Sequence, residues 1–342
     1  MSDDARARLL ALLHAHGTSV ASFQALEPGL TTRFYEDGAV AFSDTGSAWV
    51  AVADPIAPID RVRQVARRFE ADARANGRRP SFFCCEQVDA LGGKKVAIGE
   101  QPIWLPAKWE SLLAAHRGLR EQIRRARAKG VVVRRVDVSE LTEGSSIRRD
   151  VESISAAWLG TRPMEPMQFL VSLAPFEEAS EHLYWAAERG GELVAFVSAI
   201  PIYGRKGLFL EDLIRRPHAP NGTTELLIDT AMRDAKARGL ELVTLGLAPL
   251  SGEQKRWMRV MRLLGRGLYD FDGVRAFKAR LHPDRWEPVW MVCPKNASTR
   301  VAMLDALTAF AGGSLVRFGL ATLVRRPLVA AWILTLLLGP WT

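Results

Sequence analysis

Along the chain the apolar positions recur first with a period of two, then with a period near 3.6, and the same change comes round a second time. Residues 32–35, 39–42 and 48–52 read as strands, separated by the turn signals Asp37-Gly38 and Asp44-Thr45-Gly46. A helix is predicted from Asp60 to about Asn76, with Gly77 just past its end, and residues 81–86 form a further strand. Residues 108–129 predict one strongly basic helix stopped by Gly130. A strand over 131–138 and a helix over 151–159 follow. Residues 183–187 and 193–200 pair across Arg189-Gly190-Gly191, and 207–214 make another strand. From Thr223 to Arg238 the residues Leu227, Ala231 and Ala235 share one helical face, with Ile228 and Met232 beside them. Gly239 ends that helix, and 240–247 read as a strand.

Strands, a helix and a strand thus occur twice, which predicts two α/β units in tandem. The expected division is residues 1–130, carrying the basic helix at its end, then 131–296, then a C-terminal segment 297–342. Residues 327–341 contain no charge and follow Arg317, Arg325 and Arg326. That run is short of the roughly 20 residues that span a bilayer. Basic residues beside an apolar segment suit a membrane surface, and a buried C-terminal helix is the plain alternative.

Charge narrows the partner. Lys and Arg outnumber Asp and Glu by 46 to 38, a net charge of +8, which favours a polyanion such as nucleic acid or an anionic membrane. Arg117, Arg120, Arg124 and Arg127 follow helical spacings of three and four. Such a stripe tracks a phosphate backbone by shape and charge. The bland alternative is a solvated helix face. Three cysteines, Cys84, Cys85 and Cys293, show no metal-ligand spacing, so a reduced, cytosolic chain without a metal is expected.

The stretch 207–252 holds most of the candidate chemistry. A strand delivers Glu211, Asp212, Arg215 and Arg216 to a loop that enters a helix through Asn221, Gly222 and Thr223. Free N–H groups at a helix start favour phosphate or carboxylate, and arginine pairs with phosphate through two N–H groups. Neighbours on a regular strand point to opposite faces, so one of Glu211 and Asp212 is expected to face a site.

These segments resemble the cytosolic catalytic domain of bacterial aminoacyl-phosphatidylglycerol synthases, the multiple peptide resistance factor family. The resemblance rests on Asp212-Leu-Ile-Arg-Arg216, Pro217-His-Ala-Pro-Asn-Gly-Thr223 and Leu245-Gly-Leu-Ala-Pro-Leu-Ser-Gly252. It continues in Tyr269-Asp-Phe-Asp-Gly-Val-Arg-Ala-Phe-Lys278 and His282-Pro-Asp-Arg-Trp-Glu-Pro288. It implies two tandem acetyltransferase-like (GNAT) domains, here joined by the basic helix and followed by an apolar helical tail. It also implies transfer of an amino acid from charged tRNA to a hydroxyl of an anionic membrane lipid, most simply phosphatidylglycerol, at the inner face of the cell membrane. Family members carry a many-helix membrane domain that flips the product; no such run of segments occurs in these 342 residues, so a separate flippase is an expected partner.

The implied reaction exchanges one ester for another and asks for positioning, oxyanion stabilisation and proton handling, with no cofactor beyond the charged tRNA. Asp212 is the candidate amine clamp or base, with Glu211 as its alternate. Lys278 and Arg275 are candidates for the oxyanion or a phosphate, and Ser251 for orienting the attacking hydroxyl. Arg215, Arg216, Asn221, Gly222 and Thr223 would bind substrate, and the stripe Arg117, Arg120, Arg124 and Arg127 would bind tRNA. Two rivals share the fold: a tRNA-dependent peptidyl transferase of cell-wall precursors and an acyl-CoA acetyltransferase. Residues 216–222 carry two prolines and one glycine, a poor cradle for the pyrophosphate of the second.

Overall fold

The computed structural model describes residues 1–161, 167–171, 173–266 and 269–325. The apolar run 327–341 lies outside them. After helix α1 (Asp3–His16) and a 3-10 turn (Phe23–Leu26), the first half runs β1 (Thr31–Tyr35), β2 (Gly38–Asp44), β3 (Ala48–Val52), α2 (Val62–Ala75) and β4 (Arg79–Cys85). Then come α3 (Val88–Leu91), β5 (Lys94–Trp104), α4 (Trp109–Ala115) and α5 (Arg117–Ala128). The second half runs β6 (Val131–Val136), α6 (Ser146–Gly160), β7 (Leu183–Arg189), β8 (Glu192–Ile202), β9 (Gly207–Arg215), α7 (Thr223–Ala237) and β10 (Leu242–Thr244). The short β11 (Ala248–Pro249), α8 (Arg256–Gly265), α9 (Phe271–Ala279), β12 (Arg285–Cys293), α10 (Thr299–Phe310) and α11 (Leu315–Arg325) complete it.

The duplication is plain in the pairing. β1, β2 and β3 form an antiparallel meander and β3 pairs parallel with β4 across α2; β7, β8 and β9 do the same, with β9 parallel to β10 across α7. These are the two acetyltransferase-like halves. They do not divide at 130/131, however. All strands join one sheet in the order β1-β2-β3-β4-β12-β5-β10-β9-β8-β7-β6, with β11 on β5. β12 from the second half lies between β4 and β5, so a cut at 130 would leave β4 unpaired along one edge and β5 without any of its partners.

The basic helix also differs from expectation. It breaks at His116 into α4 and α5, and α5 is not a free linker. Leu119, Ile123 and Ala126 are buried with Leu227, Ala231 and Ala235 of α7 in one apolar cluster. α7 and α5 cover one face of the second half, and α6 covers the other through Val151 and Ile154. On the first half, α2 covers one face and α10, with Met258 of α8, the other. The segment 297–325 is therefore helical, and its first helix packs on the protein.

Candidate functional site

A bulge in β9 builds the centre of the site. Ser198 opposes Asp212, yet the next residue, Ala199, opposes Leu210, which leaves Glu211 as the extra residue. The side-chain faces confirm the slip. Leu208 and Leu210 point into the α5–α7 cluster, but beyond the bulge it is Leu213 that does so, while Ile214 turns to the α6 side. The expectation that Glu211 and Asp212 face opposite ways is thereby corrected. Asp212 accepts a hydrogen bond from Ser198 Oγ at 3.0 Å, and Glu211 accepts one from Gln24 Nε2 at 2.5 Å. Both lie on the face away from α7.

Around Glu211 is a small acidic pocket. Phe23, Leu26, Ile200 and Ala174 supply its apolar wall; Glu27, Glu177 and Glu178 supply carboxylates. Arg6 of α1 pairs with Glu177 and Glu178 at its rim. Burial, then the neighbouring Asp212 and Glu27, push the Glu211 carboxyl well above its usual range. Burial pushes Asp212 up to about 7, against the Ser198 hydrogen bond. His182, also lining the pocket, is pulled down to about 4 by burial and is neutral at pH 7. Burial thus holds both carboxyls toward their neutral form, a bias that an added positive charge beside them would reverse; Arg6 already pairs with two of the pocket's other carboxylates.

Next to the bulge, β9 and β10 part. They pair through Leu242, Val243 and Thr244 against Gly207, Leu208 and Phe209, and no further. Gly246 permits this course. Its φ is +67°, and any side chain there would meet the ring of Phe209. The carbonyls of Leu245, Gly246 and Leu247, freed by the parting, all accept from Lys278 Nζ at 2.8 Å. Lys278 is buried, and burial pulls it down to about 7. An ammonium has three N–H donors. All three are engaged here, so Lys278 holds the splayed loop in place of presenting a free donor.

Arg275, one turn earlier on α9, donates to Glu100 at 2.7 Å and lies 3.9 Å over the Trp286 ring. Ser251 Oγ donates to Ala248 O at 2.7 Å and accepts from the Glu100 N–H at 3.3 Å. Arg275 and Ser251 therefore meet at Glu100, on the central strand β5.

At the start of α7 the expected anion site is largely filled. Gly222 has φ +91°, and a methyl group there would fall on the Gln122 carbonyl of α5. Thr223 is fully buried and bonds Pro220 O. Arg216 donates to Leu193 O at 2.9 Å and pairs with Glu192. Arg215 and Asn221 are exposed.

Of the arginine stripe, Arg120, Arg124 and Arg127 line a cleft of about 360 Å³ with Arg233, Glu110 and Asp229; Arg117 stays outside it. Arg120 turns back onto the carbonyls of Leu113 and Ala114, Arg124 pairs with Glu121, and Arg127 reaches buried Asp229 at 2.8 Å. Arg233 and Trp109 complete the Asp229 carboxylate. Sequence reasoning missed Gln24, Glu100, Asp229 and the pocket acids. Of these only Glu177-Glu178, an acidic pair in the long connection between α6 and β7, carried a signal in the sequence.

A family described as phosphatidylglycerol lysyltransferase, C-terminal, matches residues 8–293. The phosphatidylglycerol lysyltransferase of Bacillus subtilis is 29% identical over 163 residues, which cover 45% of this chain and 19% of that protein. The chain thus matches a minor part of its curated relative's length. The structure of L-PGS from Bacillus licheniformis superposes with a TM-score of 0.75 at 21% identity, covering 88% of this chain and 95% of that one. The C-terminal domain of a protein from Agrobacterium fabrum, described as a lysylphosphatidylglycerol synthetase, gives 0.77 at 22%, covering 91% and 98%. With five-sixths of its residues inside that family's pattern, the chain belongs to the phosphatidylglycerol lysyltransferase C-terminal family.

Proposed function

We propose that this chain moves a cationic aminoacyl group from charged tRNA to a hydroxyl of phosphatidylglycerol at the inner face of the cell membrane. The observation that carries the reading is the β9 bulge, which turns Glu211 and Asp212 to one face beside a pocket lined by Glu27, Glu177 and Glu178. A cation with an aliphatic stem, such as a lysyl side chain, is the chemistry that carboxylates set around Phe23, Leu26 and Ile200 would take, with Arg6 giving up Glu177 and Glu178 and the cavity of about 30 Å³ widening to admit it. The names of the family and of its relatives agree with this amino acid and this lipid.

In the reaction the lipid hydroxyl oxygen bonds to the ester carbonyl carbon and the ribose oxygen leaves. The proton of the hydroxyl goes to that ribose oxygen by way of Asp212, whose pKa near 7 suits a group that takes and returns a proton. Lys278 acts as a positioning residue for the loop 245–247. Arg275 keeps its remaining N–H groups for a phosphate or the oxyanion, Ser251 orients the acceptor, and Arg215 meets phosphate at the strand end. The cleft under Arg120, Arg124 and Arg127 receives the tRNA backbone. A separate flippase would act on the product.

The test incubates the chain with phosphatidylglycerol vesicles and tRNA charged in turn with labelled lysine, arginine or alanine. Label in the lipid fraction is expected from lysine, at least tenfold above alanine. Label transferred from an acyl-CoA, or to a peptidoglycan precursor amine and not to lipid, refutes the reading.

A further inference from the structure

The three helices α8, α10 and α11 hold about a tenth of the chain, yet they carry six of its eleven exposed large apolar side chains among the described residues. These are Val260 and Leu263 on α8, Val301 and Leu304 on α10, and Val316 and Leu320 on α11, each between 38% and 65% exposed. On α8 the placement is systematic. Met258, with Trp257 and Met261, packs into the core shared with α10, while Arg256, Arg259, Val260 and Leu263 fall within a narrow arc on the other side.

Charge on these helices is one-sided. Their sequences contain six arginines and one acid, Asp305, and that acid is buried against Arg79. Arg256, Arg259, Arg300 and Arg317 are exposed and form no ion pair among the described residues. No single described helix is long and apolar enough to cross a membrane; α10 and α11 reach that length and composition only together, as a pair bent by 50°. Exposed apolar side chains flanked by unpaired arginines fit a helix layer that lies on a surface. The chain beyond α11 continues through residues 327–341 without a charge.

We infer that the outer faces of α8 and α10, with α11 following them in the chain, dock on an anionic lipid bilayer. The arginines meet head groups, and Val260, Leu263 and their counterparts on α10 and α11 enter the boundary of the acyl region. The placement has a purpose in the fold. α8 is tied to the site region through Arg262, which donates to Leu250 O and pairs with Asp272 of α9, the helix that carries Arg275 and Lys278. A bilayer seated on α8 would therefore deliver its head groups beside the Glu100–Arg275–Ser251 cluster. The inference rests on the acceptor being a bilayer lipid.

The experiment measures sedimentation of the full chain with vesicles of phosphatidylcholine alone or mixed with phosphatidylglycerol. Two double variants are compared, Arg256→Glu with Arg259→Glu, and Val260→Glu with Leu263→Glu. All four positions are exposed, so unchanged thermal unfolding is expected and is checked. Full-length chain should bind only the anionic vesicles, and each variant should bind at least tenfold more weakly. Transfer to vesicle-embedded phosphatidylglycerol should fall in parallel, while transfer to a short-chain, water-soluble analogue stays at the full-chain rate. Vesicle binding is read independently of transfer, so a chain that docks without transferring refutes the activity and not the surface. Equal vesicle binding by the variants overturns the inference, as does a full-length chain that ignores anionic vesicles. A dimer in solution that either variant dissociates, with no vesicle binding, assigns the face to a second copy and overturns it too.

Discussion

Asp212→Asn removes a charge from a place where burial holds the carboxyl at about 7 instead of 3.8. Between those two values the folded chain keeps a proton that the unfolded chain has released. Stability contributed by this group therefore falls as pH rises through that window, and the loss is complete above about 7. At about 1.4 kcal/mol per pH unit, the gap corresponds to at most about 4 kcal/mol. Asn keeps an oxygen to accept from Ser198 Oγ and carries no charge at any pH. The variant should therefore exceed the parent by about 1.5 kcal/mol near pH 5 and by about 4 kcal/mol near pH 8.5, matching it only below the ordinary carboxyl value. With an unfolding entropy of about 2.1 cal/mol/K per residue, the larger difference is a rise of roughly 6 °C in Tm. Transfer should be lost at both pH values, whereas the parent's rate should climb through about pH 7 as Asp212 ionises. Calorimetry across this range, beside a lipid-labelling assay, reads both. A stability difference that is the same at pH 5 and 8.5, or a variant that is weaker at pH 8.5, would refute the reasoning, because the buried charge would then not be costing the fold anything.

Gly222→Ala places a methyl group on the Gln122 carbonyl at a φ of +91°, and should lower stability by about 2 kcal/mol or more in a denaturant titration. Arg124→Ala, at an exposed pair with Glu121, should leave stability within about 0.5 kcal/mol while weakening tRNA binding and reducing its salt slope by about one. Arg127→Ala should weaken binding equally but also cost about 2 kcal/mol of stability, because the Asp229 carboxylate beneath it is 1% exposed. Lys278→Met strips three carbonyls of their donor and should cost about 3 kcal/mol, with kcat reduced and tRNA affinity unchanged.

Much of this arrangement is written in local sequence. The meanders, α2, α7 and their glycine stops follow from periodicity and turn residues, and the family blocks point to Asp212, Lys278 and Arg275. What local pattern hides is pairing at a distance. β5 and β12 lie at the middle of the sheet, yet carry Pro102 and Pro288, residues that argue against central strands. The backbone accommodates them with a register shift at Val289/Trp290 and an unusual φ of +156° at Gly99, where a side chain would meet Ala248 O. The β9 bulge is equally silent, because one extra residue between Leu210 and Asp212 is defined by its opposition to Ser198 and not by composition. The pocket acids come from a loop near residue 177 and a turn near residue 24, which only the folded sheet brings to Glu211. Arginine spacing puts Arg117, Arg120, Arg124 and Arg127 on one helix face, but cannot show that Arg117 lies outside the cleft or that Arg127 serves a buried aspartate.

The duplicated architecture also explains why one half carries the candidate chemistry. In the first half the parallel pair stays closed: β3 and β4 match from Ala48↔Arg79 to Val52↔Phe83, and Ala53 N–H extends the ladder to Phe83 O. Every carbonyl drawn into that ladder is spent on structure. In the second half the equivalent pair stops at Thr244, and the strands beyond it separate around Gly246. An open parallel pair leaves polar backbone without partners, a cost the fold meets with the buried Lys278 ammonium. The splay lies beside the bulge, where Asp212 and Glu211 face one way. The bulge, the splay and Lys278 thus depend on one another. Closing the second pair as tightly as the first would draw the carbonyls of Leu245, Gly246 and Leu247 into the ladder and leave the buried Lys278 ammonium without its acceptors.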